Sequence, residues 1–202
     1  FVSGITDSAG NYAIKGIYYG AGNIFTATPT KTTPIGASVE LDGVDDHLAF
    51  PRDRLDLSGG YTVELWFKNP GGDLDMTLFA AARPADGGDQ VRLELLADGR
   101  LRLTHLGATL TSTESYNDEY WYHVAATHNA ADGSLTLLVN GRVVASSTGA
   151  AIGEPSAFAI GRYAPEVSAG YYRGWLDEIR VWDRGRSAEQ VSAVRGQVLA
   201  GT

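Results

Sequence analysis

The sequence predicts an all-β fold, a sandwich or barrel of many short strands, and three observations carry that prediction. Short runs rich in Val, Thr, Tyr, Phe and Leu recur along the chain with Gly, Asp, Asn and Pro between them. Gly is frequent, at 25 of 202 residues, which suits a fold with many turns. No long segment repeats its apolar residues at helical spacing, so βαβ units are not expected.

Taken in order, "NYAIKGI" (11 to 17) and "NIFTATPT" (23 to 30) read as two strands joined by a Gly-rich turn. The stretch "TPTKTTPIGAS" (28 to 38) reads as a linker, so residues 1 to 34 are expected as a partial N-terminal β unit and 35 to 202 as the main domain. Beyond the linker the candidate strands are "SVELDG", "DHLAFP", "YTVELWFK", "MTLFAAA", "VRLELLA", "RLRLTHLG", "ATLTST", "YWYHVAATH", "LTLLVN", "RVVASS", "AFAIGRY" and "GWLDEIRVWD". Asp98-Gly99 and Asn140-Gly141 fall between alternating runs and predict two-residue type I′ turns, in which both residues take positive φ. One short helix is expected near the C-terminus. Ser187 and Gln190 form a capping box, and Val191, Val194 and Val198 make an apolar stripe that should pack on the sandwich edge.

Composition removes several function classes. A net charge of -8 argues against nucleic acid, which needs a basic face. No apolar run is long enough to span a bilayer, so membrane insertion is not expected. With no cysteine, disulfides and thiolate metal sites are excluded and oxygen-ligated ions remain open. The chain starts at Phe1 with neither initiator Met nor signal peptide, and is expected to be processed or excised from something longer.

Catalysis finds little support. In "WLDEIRVWD", strand parity puts Asp177, Ile179, Val181 and Asp183 on one face and Glu178, Arg180 and Trp182 on the other. Ile179 and Val181 mark the inner face, which leaves Glu178 beside Arg180 as a surface pair and no glutamate dyad. His47, His105, His123 and His128 show no metal-ligand spacing, and no nucleophile-elbow motif is present.

Two binding sites are expected instead. "DGVDDHL" places Asp42, Asp45 and Asp46 in a Gly-containing turn, where carboxylates can ligate calcium or simply cap backbone amides as Asx-turns. Asp177, at the start of the inward face of its strand, needs a partner. A calcium ion shared with Asp45 and Asp46 is one answer; pairing with Arg162 or Arg173, or capping of backbone amides, is the other. For a glycan, the loop "GRYAPEVSAGYYRG" (161 to 174) offers Tyr163, Tyr171 and Tyr172 as stacking rings, with Arg162, Glu166 and Arg173 as polar partners.

Three blocks resemble a known family. "LDGVDDHLAF" with "YTVELWFK", then "YWYHVAATHNAADGSLTLLVNGRVVAS", then "AFAIGR" through "YYRGWLDEIRVWDRGRSAEQV" are similar to the laminin-G-like, concanavalin A-like family, in the branch that includes the pentraxins. The resemblance implies a two-sheet antiparallel jelly-roll, often with calcium at its rim, in secreted or cell-surface proteins that bind glycans or receptors. His123 matches a framework position of that family. Residues 6 to 31 in turn resemble the closing strands of carboxypeptidase regulatory-like or Cna-B-like domains, here as a β-hairpin remnant.

The expectation is therefore a non-catalytic extracellular adhesion or carbohydrate-recognition module, of bacterial origin, with a structural calcium site. Two other readings stand beside it: a subunit of an extracellular fibre built through the N-terminal strands, and an accessory domain of a glycosidase. The N-terminal strands could pack on this chain's own sandwich, could have lost upstream sequence, which is the explanation preferred, or could complete a sheet in a neighbouring copy.

Overall fold

The structure, a computed structural model, describes residues 3–6, 11–15, 25–27, 32–33, 36–49, 56–83, 88–153, 155, 157–163 and 169–197. The strands are β1 (Ser3–Thr6), β2 (Asn11–Lys15), β3 (Phe25–Ala27), β4 (Thr32–Thr33), β5 (Gly36–Ala37), β6 (Val39–Asp42), β7 (His47–Ala49), β8 (Gly60–Lys68) and β9 (Met76–Arg83). They continue with β10 (Gly88–Leu95), β11 (Arg100–His105), β12 (Ala108–Ser115), β13 (Tyr122–Asn129), β14 (Ser134–Val139), β15 (Arg142–Thr148), β16 (Ala157–Ile160) and β17 (Arg173–Trp182), before the helix α1 (Ala188–Val194). Every segment read as a strand between residues 38 and 183 is one.

Two sheets face each other. One runs β1-β2-β7-β16-β9-β10-β11-β12; the other runs β15-β14-β13-β8-β17-β3, with β6 also on β17. Pairing is antiparallel apart from β2 on β7, which is parallel. Tyr61, Val63, Leu65 and Phe67 of β8 point inward, as their alternation requires, and meet Leu93, Leu103, Val124, Leu137, Ile160 and Leu176 in one continuous core. Each such side chain contributes about 1.5–3 kcal/mol by leaving water.

The N-terminal strands pair within the chain. The β1–β2 hairpin joins one sheet through β7, and β3 joins the other by pairing Ala27 with Ile179 and Phe25 with Val181. Packing on the chain's own sandwich, one of the three explanations considered for these strands, is observed.

Turn chemistry is borne out at one hairpin and corrected at another. Asn140 and Gly141 have φ of 51° and 79°, the expected pair of positive values. At Asp98-Gly99 only Gly99 is positive, at 82°, while its N–H bonds Leu96 O and Leu96 N–H bonds Arg100 O. That hairpin has a three-residue loop ending in a left-handed glycine. The second pair of positive values falls at Leu106 and Gly107, 48° and 84°, between β11 and β12.

The capping box forms, with Ser187 Oγ accepting from Gln190 N–H and Gln190 Oε1 accepting from Ser187 N–H. The helix does not lie on the sandwich edge. Val191 is buried against Ala125 of β13 and Leu138 of β14, so α1 covers the outer face of the second sheet. Val198 lies outside the described residues.

Candidate functional site

The cover provided by α1 gives the outer face of the second sheet an unusual content. Cross-strand registers line up Leu138, Ala125, Glu64 and Arg180 in one row, and His123, Trp66 and Asp177 in the next. Glu64 is 0% exposed, yet it is well partnered: its Oε1 accepts from Trp182 Nε1 at 2.8 Å and from Arg186 Nη1 at 3.2 Å, and His123 Nε2 lies 3.3 Å from Oε2. Burial opposes ionisation of Glu64, but the His123 contact, the Arg180 charge and the Trp182 N–H outweigh it and hold its pKa below the ordinary glutamate value. Burial likewise pushes the His123 pKa down, which favours the neutral imidazole.

Arg180 is buried as well. It pairs with Glu178 Oε2 at 2.6 Å and donates to Val194 O at 3.0 Å, and also to Gln197 O. These carbonyls belong to the end of α1 and the turn after it, where a cation complements the helix dipole. Glu178 and Arg180 are therefore a buried clamp on the helix end, a correction to their reading as a surface pair.

Asp177 also changes place, and there the cause is one inserted residue. Between Asp177, opposite Trp66, and Arg180, opposite Glu64, the register of β17 shifts by one, and Glu178 takes φ 46°. The bulge reverses the parity of Asp177 relative to Ile179 and Val181. Asp177 thus lies on the helix-covered face beside Trp66 and not on the core face. Its Oδ1 accepts the Glu178 N–H at 2.8 Å, while Oδ2 is buried with no hydrogen-bond partner. Burial pushes its pKa up to about 6.

The acidic turn between β6 and β7 forms without Asp177. Ligand oxygens of Asp42, Asp45 and Asp46 lie within 4.8 Å of one another. Asp42 Oδ1 accepts the Val44 N–H at 2.8 Å, and Asp46 Oδ2 accepts the Asp42 N–H at 3.2 Å. The Val44 N–H holds the Asp42 pKa below its usual value; Asp46 is raised by burial and by the charges of Asp42 and Asp45. A hard cation would relieve that repulsion, and the turn fits as a partial shell, three carboxylates toward the six to eight oxygens calcium takes. On β17 it is Arg173 that pairs with Asp42, whereas Asp177 stands four residues farther along, about 13 Å at strand rise. An ion shared between Asp177 and this turn is ruled out by that separation.

The tyrosine platform also divides. Tyr172 is 0% exposed and its hydroxyl donates to Lys68 O at 3.0 Å, so it is a core residue and cannot stack on a sugar. Tyr163 is half-buried with the Arg92 guanidinium 4.3 Å from its ring centre, which occupies one face. Tyr171 is half-buried and Arg173 exposed. Glu166 lies outside the described residues.

A different recess carries the features expected of a sugar site. At the end of the sandwich, Trp66, Trp121, Tyr122 and Tyr116 line an open cleft of about 630 Å³ together with Glu114, Asn140, Arg142 and Arg195. Trp66 and Trp121 are both partly exposed. The cleft forms because Trp66 Nε1 donates to Arg195 O at 2.8 Å, fixing the end of α1 beside the Asn140-Gly141 turn. Gly141 is required there: an added Cβ would stand 2.9 Å from Ser192 Oγ and 3.4 Å from Arg195 Nε. The aromatic run at 120 to 122 was the only local signal of this cleft, because its other walls come from four separate segments.

The Laminin_G_3 family, described as the concanavalin A-like lectin/glucanases superfamily, matches residues 42–192. A native heptameric SAP-like pentraxin from Limulus polyphemus is similar at TM-score 0.61 and 20% identity, over 78% of this chain and 80% of that one. A CBM40 from a Ruminococcus gnavus IT-sialidase, bound to alpha2,3 sialyllactose, is similar at TM-score 0.69 and 13% identity, over 86% and 99% of the two chains. A Trypanosoma rangeli sialidase is similar at TM-score 0.61 and 16% identity, over 76% of this chain but 26% of the sialidase. No curated protein matches the chain.

Proposed function

The chain belongs to the concanavalin A-like lectin/glucanases superfamily, and from that premise we propose that it is a non-catalytic glycan-binding module. The observation that carries the reading is the cleft in which Trp66 and Trp121 stand partly exposed among polar side chains. Aromatic faces pack against the CH groups of a sugar ring, while Asn140, Ser115 and Glu114 are placed to exchange hydrogen bonds with its hydroxyls. The CBM40 and pentraxin folds support a binding role for this architecture.

Hydrolysis is not supported by the same cleft. Glycosidases need two carboxyl groups about 5–9.5 Å apart across the bond they cut. Glu114 is the one carboxylate among the described residues of the cleft, and Glu64 is fully buried and engaged by Trp182 and Arg186. In this reading the module is secreted or on the cell surface of a bacterium, where it serves adhesion or carbohydrate recognition. Calcium at Asp42, Asp45 and Asp46 would tie the β6–β7 turn and stabilise the rim. The fibre reading loses its motive, since β2 and β3 are paired within the chain. The accessory-domain reading is favoured by one fact: the similar region is a quarter of the Trypanosoma sialidase.

Glycan-array binding followed by calorimetry tests the proposal. Trp121→Ala should weaken the best ligand by about 30-fold, the scale of a buried aromatic anchor of about 2 kcal/mol, with the melting temperature kept near that of the parent. Undiminished binding by Trp121→Ala and by Trp66→Phe would move the glycan site out of this cleft. Release of reducing ends from any bound oligosaccharide would overturn the non-catalytic reading.

A further inference from the structure

We propose that the cleft selects sugars that carry an anionic substituent, held by Arg142 and Arg195. The inference rests on the reading of the cleft as the glycan site and adds the ligand's chemical class.

In a chain of net charge -8, carboxylates outnumber cations. Arg100, Arg102, Arg180, Arg184 and Arg186 each lie within salt-bridge distance of one. Arg142 and Arg195, like Lys68, Arg162 and Arg173, form no such pair among the described residues, and of these five only Arg142 and Arg195 line the cleft. Glu114 is exposed and is the one opposing charge, so the lining keeps an excess of positive charge within a protein of negative sign. Electrostatic attraction toward an anionic ligand is concentrated at this place.

Position supports the same conclusion. Arg195 is the C-cap of α1; its N–H bonds Val191 O at 3.1 Å and its carbonyl accepts from Trp66. Its Nε passes 3.4 Å from the place a Gly141 side chain would fill, so the stem is laid against the hairpin tip. Arg142 opens β15 in register with Val139, directly after the Asn140-Gly141 turn. Two guanidinium groups thus flank one tight turn, on backbone fixed by a helix cap and a strand ladder. Guanidinium presents its N–H donors in a planar fork matched to oxyanions, and a fixed backbone lowers the entropy lost on binding. Trp66 and Trp121 supply the apolar walls for the ring that bears the charge.

The test uses matched oligosaccharides: a neutral one, its carboxylated counterpart bearing a uronic acid, and its sulfated counterpart. The anionic members should bind at least tenfold tighter than the neutral one, and the preference should shrink between 50 and 500 mM salt. Arg142→Gln and Arg195→Gln should each cut the anionic-to-neutral ratio by about tenfold, on the scale of one charge-assisted hydrogen bond. The carboxylated and sulfated arms identify which oxyanion is preferred, and tighter binding of either supports the proposal. Equal affinity for neutral and charged members, or an unchanged ratio in both variants, overturns it while leaving glycan recognition standing. Binding of none of the three, on an array with no other hits, overturns both. Because Arg142 is exposed, its variant keeps the test valid if the Arg195 variant fails to fold.

Discussion

Replacing Asp177 by Asn should stabilise the protein near neutral pH and leave it nearly unchanged in acid. Asp177 is 3% exposed, and its Oδ2 has no partner. Its pKa rises from 3.8 to about 6 through burial. At 1.36 kcal/mol per unit, the ionised form costs at most about 3 kcal/mol. Solvent screening and water penetration reduce that to roughly 1–2 kcal/mol. Between pH 4 and 6 the folded state binds more protons than the unfolded one, so this residue's contribution to stability falls as pH rises through the window. Asn keeps the acceptor for the Glu178 N–H and removes the charge. Urea denaturation followed by tryptophan fluorescence at pH 4, 5, 6 and 7.5 measures the effect. The variant should gain about 1–2 kcal/mol over the parent at pH 7.5 and only about a few tenths of a kcal/mol at pH 4. Other groups, Glu64 among them, act in both proteins and cancel in the difference. A difference that is the same at pH 4 and pH 7.5, or one that turns against the variant as pH rises, would refute the reasoning.

Leu106 holds φ 48° in a turn position that suits Asn or Gly and is 44% exposed, so Leu106→Asn should stabilise by about 1 kcal/mol and raise the melting temperature by roughly 2–4 °C. Ser187→Ala removes the hydroxyl half of the capping box and should cost about 1 kcal/mol in urea denaturation. If the β6–β7 turn takes calcium with an affinity of about 10⁻⁴–10⁻³ M, 10 mM calcium should stabilise by about 1–3 kcal/mol. Paired Asp45→Asn and Asp46→Asn changes should remove that response; an equal shift in the double variant would place the ion elsewhere.

Where one face of a strand was to be buried, the sequence was legible. Alternation in "YTVELWFK" placed Tyr61, Val63, Leu65 and Phe67 in the core, and Asn140-Gly141 marked its turn through the two positive φ values it permits. Ser187 and Gln190 marked the start of the helix because a capping box uses only residues three apart. The cleft was not legible. Trp66, Glu114, Trp121, Arg142 and Arg195 come from separate segments, and only packing α1 beside a hairpin tip brings them together.

The sequence by itself determined the all-β sandwich, its strands, one hairpin and the helix start, since these follow from backbone preference and from side-chain period within a few residues. Tertiary structure alone decided what the polar faces meet. Nothing in "WLDEIRVWD" signals the extra residue at Glu178, because a bulge is defined by the register against β8. That one-residue shift turned Asp177 away from the core. The cover of α1 over the same face turned the outward charges of Glu64, Glu178 and Arg180 into a buried network.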